Sequence, residues 1–114
     1  SMKGGSMIPA FYRANINGIP RIESTGVVVN TDNVTFTFRS HNYLRRPFNG
    51  IVLIRLNQSV PDGATTTLPI VFNSGTPIAV TTYNDEPLTV EGVAGTGVYL
   101  FYYDSASATL QLIG

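Results

Sequence analysis

The chain has no cysteine, no tryptophan, a single histidine and, at Lys3, a single lysine. Without cysteine there is no disulfide, no thiolate nucleophile and no zinc–thiolate site. Without tryptophan, the usual sugar-stacking ring and the largest interface anchor are both missing. Charge is also scarce. Charged residues make up 12% of the chain, and seven basic residues balance seven acidic ones. A general nucleic-acid or anionic-membrane binder needs a basic excess, so that class is disfavoured. No apolar run is long enough to span a bilayer, and the first residues hold no signal-like apolar stretch. No segment keeps a helical period, which excludes parallel βαβ units with helical crossovers.

What is present is β-forming. A chain of 114 residues forms one domain, buries roughly two thirds of its unfolded surface and needs no staple. Its polar character comes from Thr, Asn, Ser and Gly. A near-zero net charge favours association over solubility as a monomer. The segment 1–7 is glycine-rich and reads as a flexible lead-in, with Ser1-Met2 as a cloning remnant. Residues 8–114 read as a single β-domain.

The organising stretch is Phe48 to Phe72, FNGIVLIRLNQSVPDGATTTLPIVF. Within it Val52, Ile54 and Leu56 point one way, and Ile51, Leu53 and the stem of Arg55 point the other. A strand that is apolar on both faces needs cover on both sides. Val34 to Arg39 is one-sided, with Val34, Phe36 and Phe38 inward and threonines outward. Asn17-Gly18 marks a hairpin between Ile8 and Ile22, and Val27 to Asn30 a further short strand. Asn49-Gly50 suits a bulge at the entry to the central strand. Thr67–Phe72, Pro77–Thr82 and Leu88–Val90 follow as short strands with turns between them. Val98 to Asp104 is apolar or aromatic on both faces and pairs with Thr109–Ile113 as a C-terminal hairpin. These elements predict an all-β, single-domain antiparallel β-sandwich or jelly-roll-like barrel of about 8–10 short strands.

Candidate chemistry is sparse. His41 has no nucleophile-elbow serine to serve, and it reads as a loop histidine. The acids Glu23, Asp32, Asp62, Asp85, Glu86, Glu91 and Asp104 are scattered and lack calcium-loop spacing. The residues therefore name no catalytic, metal or cofactor site. Arg39, His41, Tyr43, Arg45 and Arg46 form the one basic concentration and are candidates for an anion or partner contact. The run is short and compensated elsewhere, which argues against nucleic acid. Arg55, inside IVLIRL, needs a polar partner or an outlet to water. The surplus of apolar strand surface is best covered by another copy of the chain. Ile51, Leu53, Arg55, Tyr99, Phe101 and Tyr103 are the candidates for that interface. Alternatively, exposed tyrosines among Tyr99, Tyr102 and Tyr103 form a carbohydrate- or ligand-binding platform.

The ending GTGVYLFYYDSASATLQLIG and the Phe48–Phe72 stretch resemble small β-domains of tailed-bacteriophage virion proteins, of the kind found in phages of Bacteroides-type hosts. There such domains serve as head fibres, capsid decorations or tail-fibre modules. The resemblance spans Phe48 to Gly114 and rests on strand lengths and turns rather than a chemical motif. It implies an all-β, often trimeric, non-enzymatic structural module located in the virion, with itself and other virion proteins as partners. An extracellular or cell-surface location is the alternative. No functional residue transfers from the resemblance.

Overall fold

Alternation of apolar and polar side chains is the local rule that builds this fold, because it gives each strand one face to bury. The computed structural model of the protein describes residues 15, 16, 18–93 and 95–114. The expected lead-in over 1–7 and the first arm of the hairpin from Ile8 lie largely outside them. Among the described residues eight strands are seen: β1 (Asn15–Ile16), β2 (Ile19–Val29), β3 (Val34–Phe38), β4 (Gly50–Leu56), β5 (Ile70–Asn73), β6 (Pro77–Thr81), β7 (Gly97–Asp104) and β8 (Thr109–Leu112). The only helical pieces among the described residues are 3-10 turns at Asn42–Leu44 and Val90–Val93.

The strands form one curled sheet in the order β1-β2-β3-β5-β6-β8-β7-β4, and β2 also pairs with β4. The two ends of the sheet are thereby joined, and the fold is all-β and barrel-like. The long strand β2 makes this join. Its residues Arg21, Ile22 and Glu23 lie parallel to Leu53, Ile54 and Arg55, while Gly26 to Val29 lie antiparallel to Thr37 to Val34. The sequence suggested separate short strands here, whereas one strand of 11 residues pairs with β1, β3 and β4.

The sheet is mixed, where the sequence suggested antiparallel pairing alone. β2–β4, β3–β5 and β6–β8 are parallel. No crossover helix is needed, because each parallel pair is separated in sequence by a stretch that contains another strand. The hairpins stand where the turn residues place them. Ile16 faces Ile19 across Gly18, whose φ of 82° suits the left-handed turn. β5 and β6 turn through Gly75, at φ 104°, and Asp104 faces Thr109 at the β7–β8 turn. Leu88 to Val90, expected as a short strand, makes only bridge-type contacts. Its backbone serves Ile70, Val80 and Leu68, and Val90 opens the 3-10 turn. The expected bulge at Asn49-Gly50 is absent, since β4 stays in unbroken register with β7 from Gly50 to Leu56. The bulge lies instead in β2, between Ser24 and Gly26.

The interior is filled by alternate residues of every long strand. Val34, Phe36 and Phe38 of β3, and Val52, Ile54 and Leu56 of β4, are buried as expected. Phe72 is the hub of the rings. Its centroid is 6.0 Å from Phe36, 4.9 Å from Phe38 and 5.7 Å from Phe101. Edge and tilted contacts of this kind add to the burial itself.

Truncation of this fully buried hub, Phe72→Ala, is expected to cost about 3–5 kcal/mol of stability by urea denaturation. Val28→Thr, on the exposed side of β2, should stay within about 0.5 kcal/mol of the parent.

Candidate functional site

Residues directly opposite each other on adjacent strands share a face of the sheet. Val52 is paired with Phe101, Ile54 with Tyr99 and Gly50 with Tyr103. Once β4 turns Val52 and Ile54 into the core, Tyr99, Phe101 and Tyr103 must follow them. Phe101 and Tyr103 are indeed buried, and Tyr99 packs against the core. These three are thus removed from the predicted interface. On the other face Ile51 is paired with Tyr102, Leu53 with Leu100 and Arg55 with Val98. Ile51, Leu53 and Arg55 keep the outward position the sequence suggested, and Val98, Leu100 and Tyr102 are their partners.

The outward field continues onto the next segment. Ile113 donates its backbone N–H to the Leu100 carbonyl at 2.8 Å and is half exposed. Ile51, Leu53, Val98, Leu100, Tyr102 and Ile113 thus form a contiguous apolar area that faces away from the core. Of the three tyrosines weighed as a ligand platform, only Tyr102 lies on it. Tyr83, which the sequence reading passed over, is the most exposed ring among the described residues. It sits on a turn pinned by the Gln111 amide, which donates to the Thr82 and Tyr83 carbonyls and to Asp85 Oδ1.

A polar network borders the apolar field on the β2 side. The Arg21 guanidinium pairs with Glu23 at 2.5 Å. Asn57 Nδ2 donates to Glu23 Oε1 at 2.9 Å, and Arg55 Nε donates to Asn57 Oδ1 at 3.2 Å. Arg55 therefore settles with a half-exposed head on an amide rather than in a buried ion pair. The Asn57 and Arg21 hydrogen bonds hold the Glu23 carboxyl below its ordinary value.

Behind this network lies a cleft of about 450 Å³, lined by Arg21, Ile22, Glu23, Ser24, Thr25, Arg39, His41 and Asn57. The β2 bulge creates one wall. It turns Thr25 outward, where its hydroxyl bonds Thr37. Ser24 forms the buried floor. Its hydroxyl donates to Gln58 Oε1 at 2.5 Å and accepts from the Asn57 N–H at 2.9 Å, while its carbonyl accepts from Asn57 Nδ2.

The basic run at 39–46 is divided by the structure. Arg39 and His41 line the cleft. Tyr43 packs edge-on against Phe48 at 5.0 Å and joins the core margin. Arg45 is held by Asn42 Oδ1 at 2.6 Å. Arg46 is near enough to Tyr103 to oppose the upward push that burial gives that phenol. His41 accepts the Tyr43 N–H on Nδ1 at 3.2 Å and so caps the 3-10 turn. That bond fixes the neutral Nε2–H tautomer. Among the described residues no three His, Asp or Glu side chains gather as metal ligands.

The sequence offered little warning of the cleft. Arg21, Glu23, Ser24, Thr25 and Asn57 carry no motif, and only the β2 bulge and the end of β4 bring them together.

Ser24→Ala leaves the Asn57 N–H without its acceptor and should cost about 1–3 kcal/mol in denaturant titration. Burial holds the His41 imidazole below its ordinary value of 6.5. The unfolded chain therefore takes up this proton first. The stability tied to neutral His41 is complete above pH 6.5 and is lost as the pH falls from there to the folded value. His41→Asn keeps an acceptor for the cap without titrating, so its melting temperature should be flatter just below pH 6.5 than that of the parent. Comparison with known proteins finds no family model, no curated protein and no solved structure that matches the chain.

Proposed function

We propose that the protein is a non-enzymatic structural component that assembles with copies of itself through the outward face of β4 and β7. The observation that carries this reading is the contiguous field of Ile51, Leu53, Val98, Leu100, Tyr102 and Ile113. Contiguous exposed apolar area rimmed by polar residues is typical of association surfaces. The rim here holds both signs of charge, with Arg21 and Arg55 beside Glu23, so it can meet its own image. The zero formal charge of the chain sets up no net repulsion between copies. A cyclic homo-oligomer, with a trimer favoured, buries the same field in every copy.

The place of such an assembly is a virion, as a head fibre, capsid decoration or tail module. This part rests on the resemblance of Phe48–Gly114 to tailed-phage β-domains. The platform of exposed tyrosines is the weaker reading, because Tyr99 and Tyr103 are turned inward and only Tyr102 remains of the rings it required.

Light scattering coupled to size-exclusion chromatography tests the assembly. The parent is expected to elute as an oligomer at micromolar concentration. Leu53→Asp with Leu100→Asp should give a folded monomer, because both side chains point away from the core. A parent that is monomeric under the same conditions would overturn self-association. Immunogold labelling of purified phage particles tests the location.

A further inference from the structure

We propose that the cleft between β2, the segment after β3 and the end of β4 binds a small acidic sugar, with its carboxylate on Arg39 and its hydroxyls on Glu23 and Asn57. The site shares Arg21 and Glu23 with the border of the apolar field, but every group that lines it comes from one copy of the chain.

Four observations carry the proposal. The first is size. A cleft of about 450 Å³ falls within the roughly 300–1,000 Å³ of small-molecule sites. Its lining differs from an apolar-ligand site, because Ile22 is the only large apolar side chain there and is itself buried.

The second is charge. Arg21 is already paired with Glu23. Arg39 has no ion-pair or hydrogen-bond partner among the described residues, and its exposed guanidinium offers a planar fork that matches a carboxylate. With His41 neutral, Arg21, Arg39 and Glu23 leave one positive charge in the lining. A single negative charge balances it, and a polyanion exceeds it.

The third is the mix of donors and acceptors. A bare carboxylate needs donors only. This cleft also presents acceptors, namely the Glu23 carboxylate and the Asn57 carbonyl oxygen, whose oxygens keep a lone pair each beyond their bonds to Arg21, Asn57 Nδ2 and Arg55, and a hydroxyl-rich ligand uses both kinds. The fourth is rigidity. The Glu23 carboxylate is held by Arg21 and Asn57, the Asn57 amide also engages the Ser24 carbonyl and Arg55, and the Nδ1 bond of His41 leaves its Nε2–H as a fixed donor. Side chains held in this way lose little entropy on binding.

The test is calorimetric titration of the full chain with sodium D-glucuronate, D-glucose and sodium acetate in separate runs, at low salt. Glucuronate is expected to bind, with glucose and acetate each weaker by about tenfold or more, because each supplies only half of the contacts. Arg39→Ala should weaken glucuronate by a similar factor at an unchanged melting temperature, since the side chain is exposed. Arg39→Lys, which keeps the charge and loses the fork, should fall between the two. Absence of glucuronate binding overturns the proposal. So does glucose or acetate binding as tightly as glucuronate, or an Arg39→Ala variant that binds like the parent.

Discussion

One strand, β2, pairs with β1, β3 and β4, and the rest of the barrel depends on how it does so. Its first half belongs to β4 and its second half to β3. The β4 pairing ends at Glu23 and the β3 ladder shifts register between Ser24 and Gly26, and such interruptions leave backbone groups that must be paired when buried. Ser24 stands at the break. Its hydroxyl and carbonyl together engage Asn57 and Gln58, so that polar groups at the joint find partners inside the protein. The bulge beside it turns Thr25 outward and lets the second half of β2 resume pairing in a new register. The cleft is the external trace of this joint, which explains why polar side chains collect there in a chain with so few charges.

Closing the sheet also decides what the surface looks like. The core takes one face of β4, and cross-strand register obliges β7 to give the matching face. The aromatic-rich parity of β7 goes inward, where Phe101 meets Phe72 and Tyr99 and Tyr103 fill the margin. The other parity is left outside with Ile51, Leu53 and Ile113 around it. The apolar area that remains is therefore a consequence of strand pairing and does not reflect loose packing. Its polar border on β2 exists because Arg21 and Glu23 share the outward face with Leu53 and Arg55. The apolar field and the cleft are adjacent because Arg21 and Glu23 of β2 contribute to both borders.

Several elements were legible before any coordinates. β3 is a clean alternation of buried and half-buried residues. The β7–β8 hairpin and the Gly18 turn follow from local chemistry. β4 reads as a strand with two apolar faces, and the structure buries Val52, Ile54 and Leu56 on one of them. The inward face of β7 is not legible in this way, because both of its faces carry rings and either parity looks like core. Only the register with β4 breaks that tie. The extent of β2 was hidden for a related reason. A bulge interrupts the alternation at Thr25, so one long strand reads as two short pieces.

Local sequence thus determined the all-β class, the turn positions and the inward faces of the strands with a single apolar side, since period-two patterning and turn residues act over a few neighbours. Tertiary structure decided the mixed pairing, the closure through β2, the outward face of β7 and the gathering of Arg21, Glu23, Arg39, His41 and Asn57. Those features depend on which distant strands become neighbours. Backbone hydrogen bonds, being nearly the same for every residue, leave that choice to the packing of the whole chain.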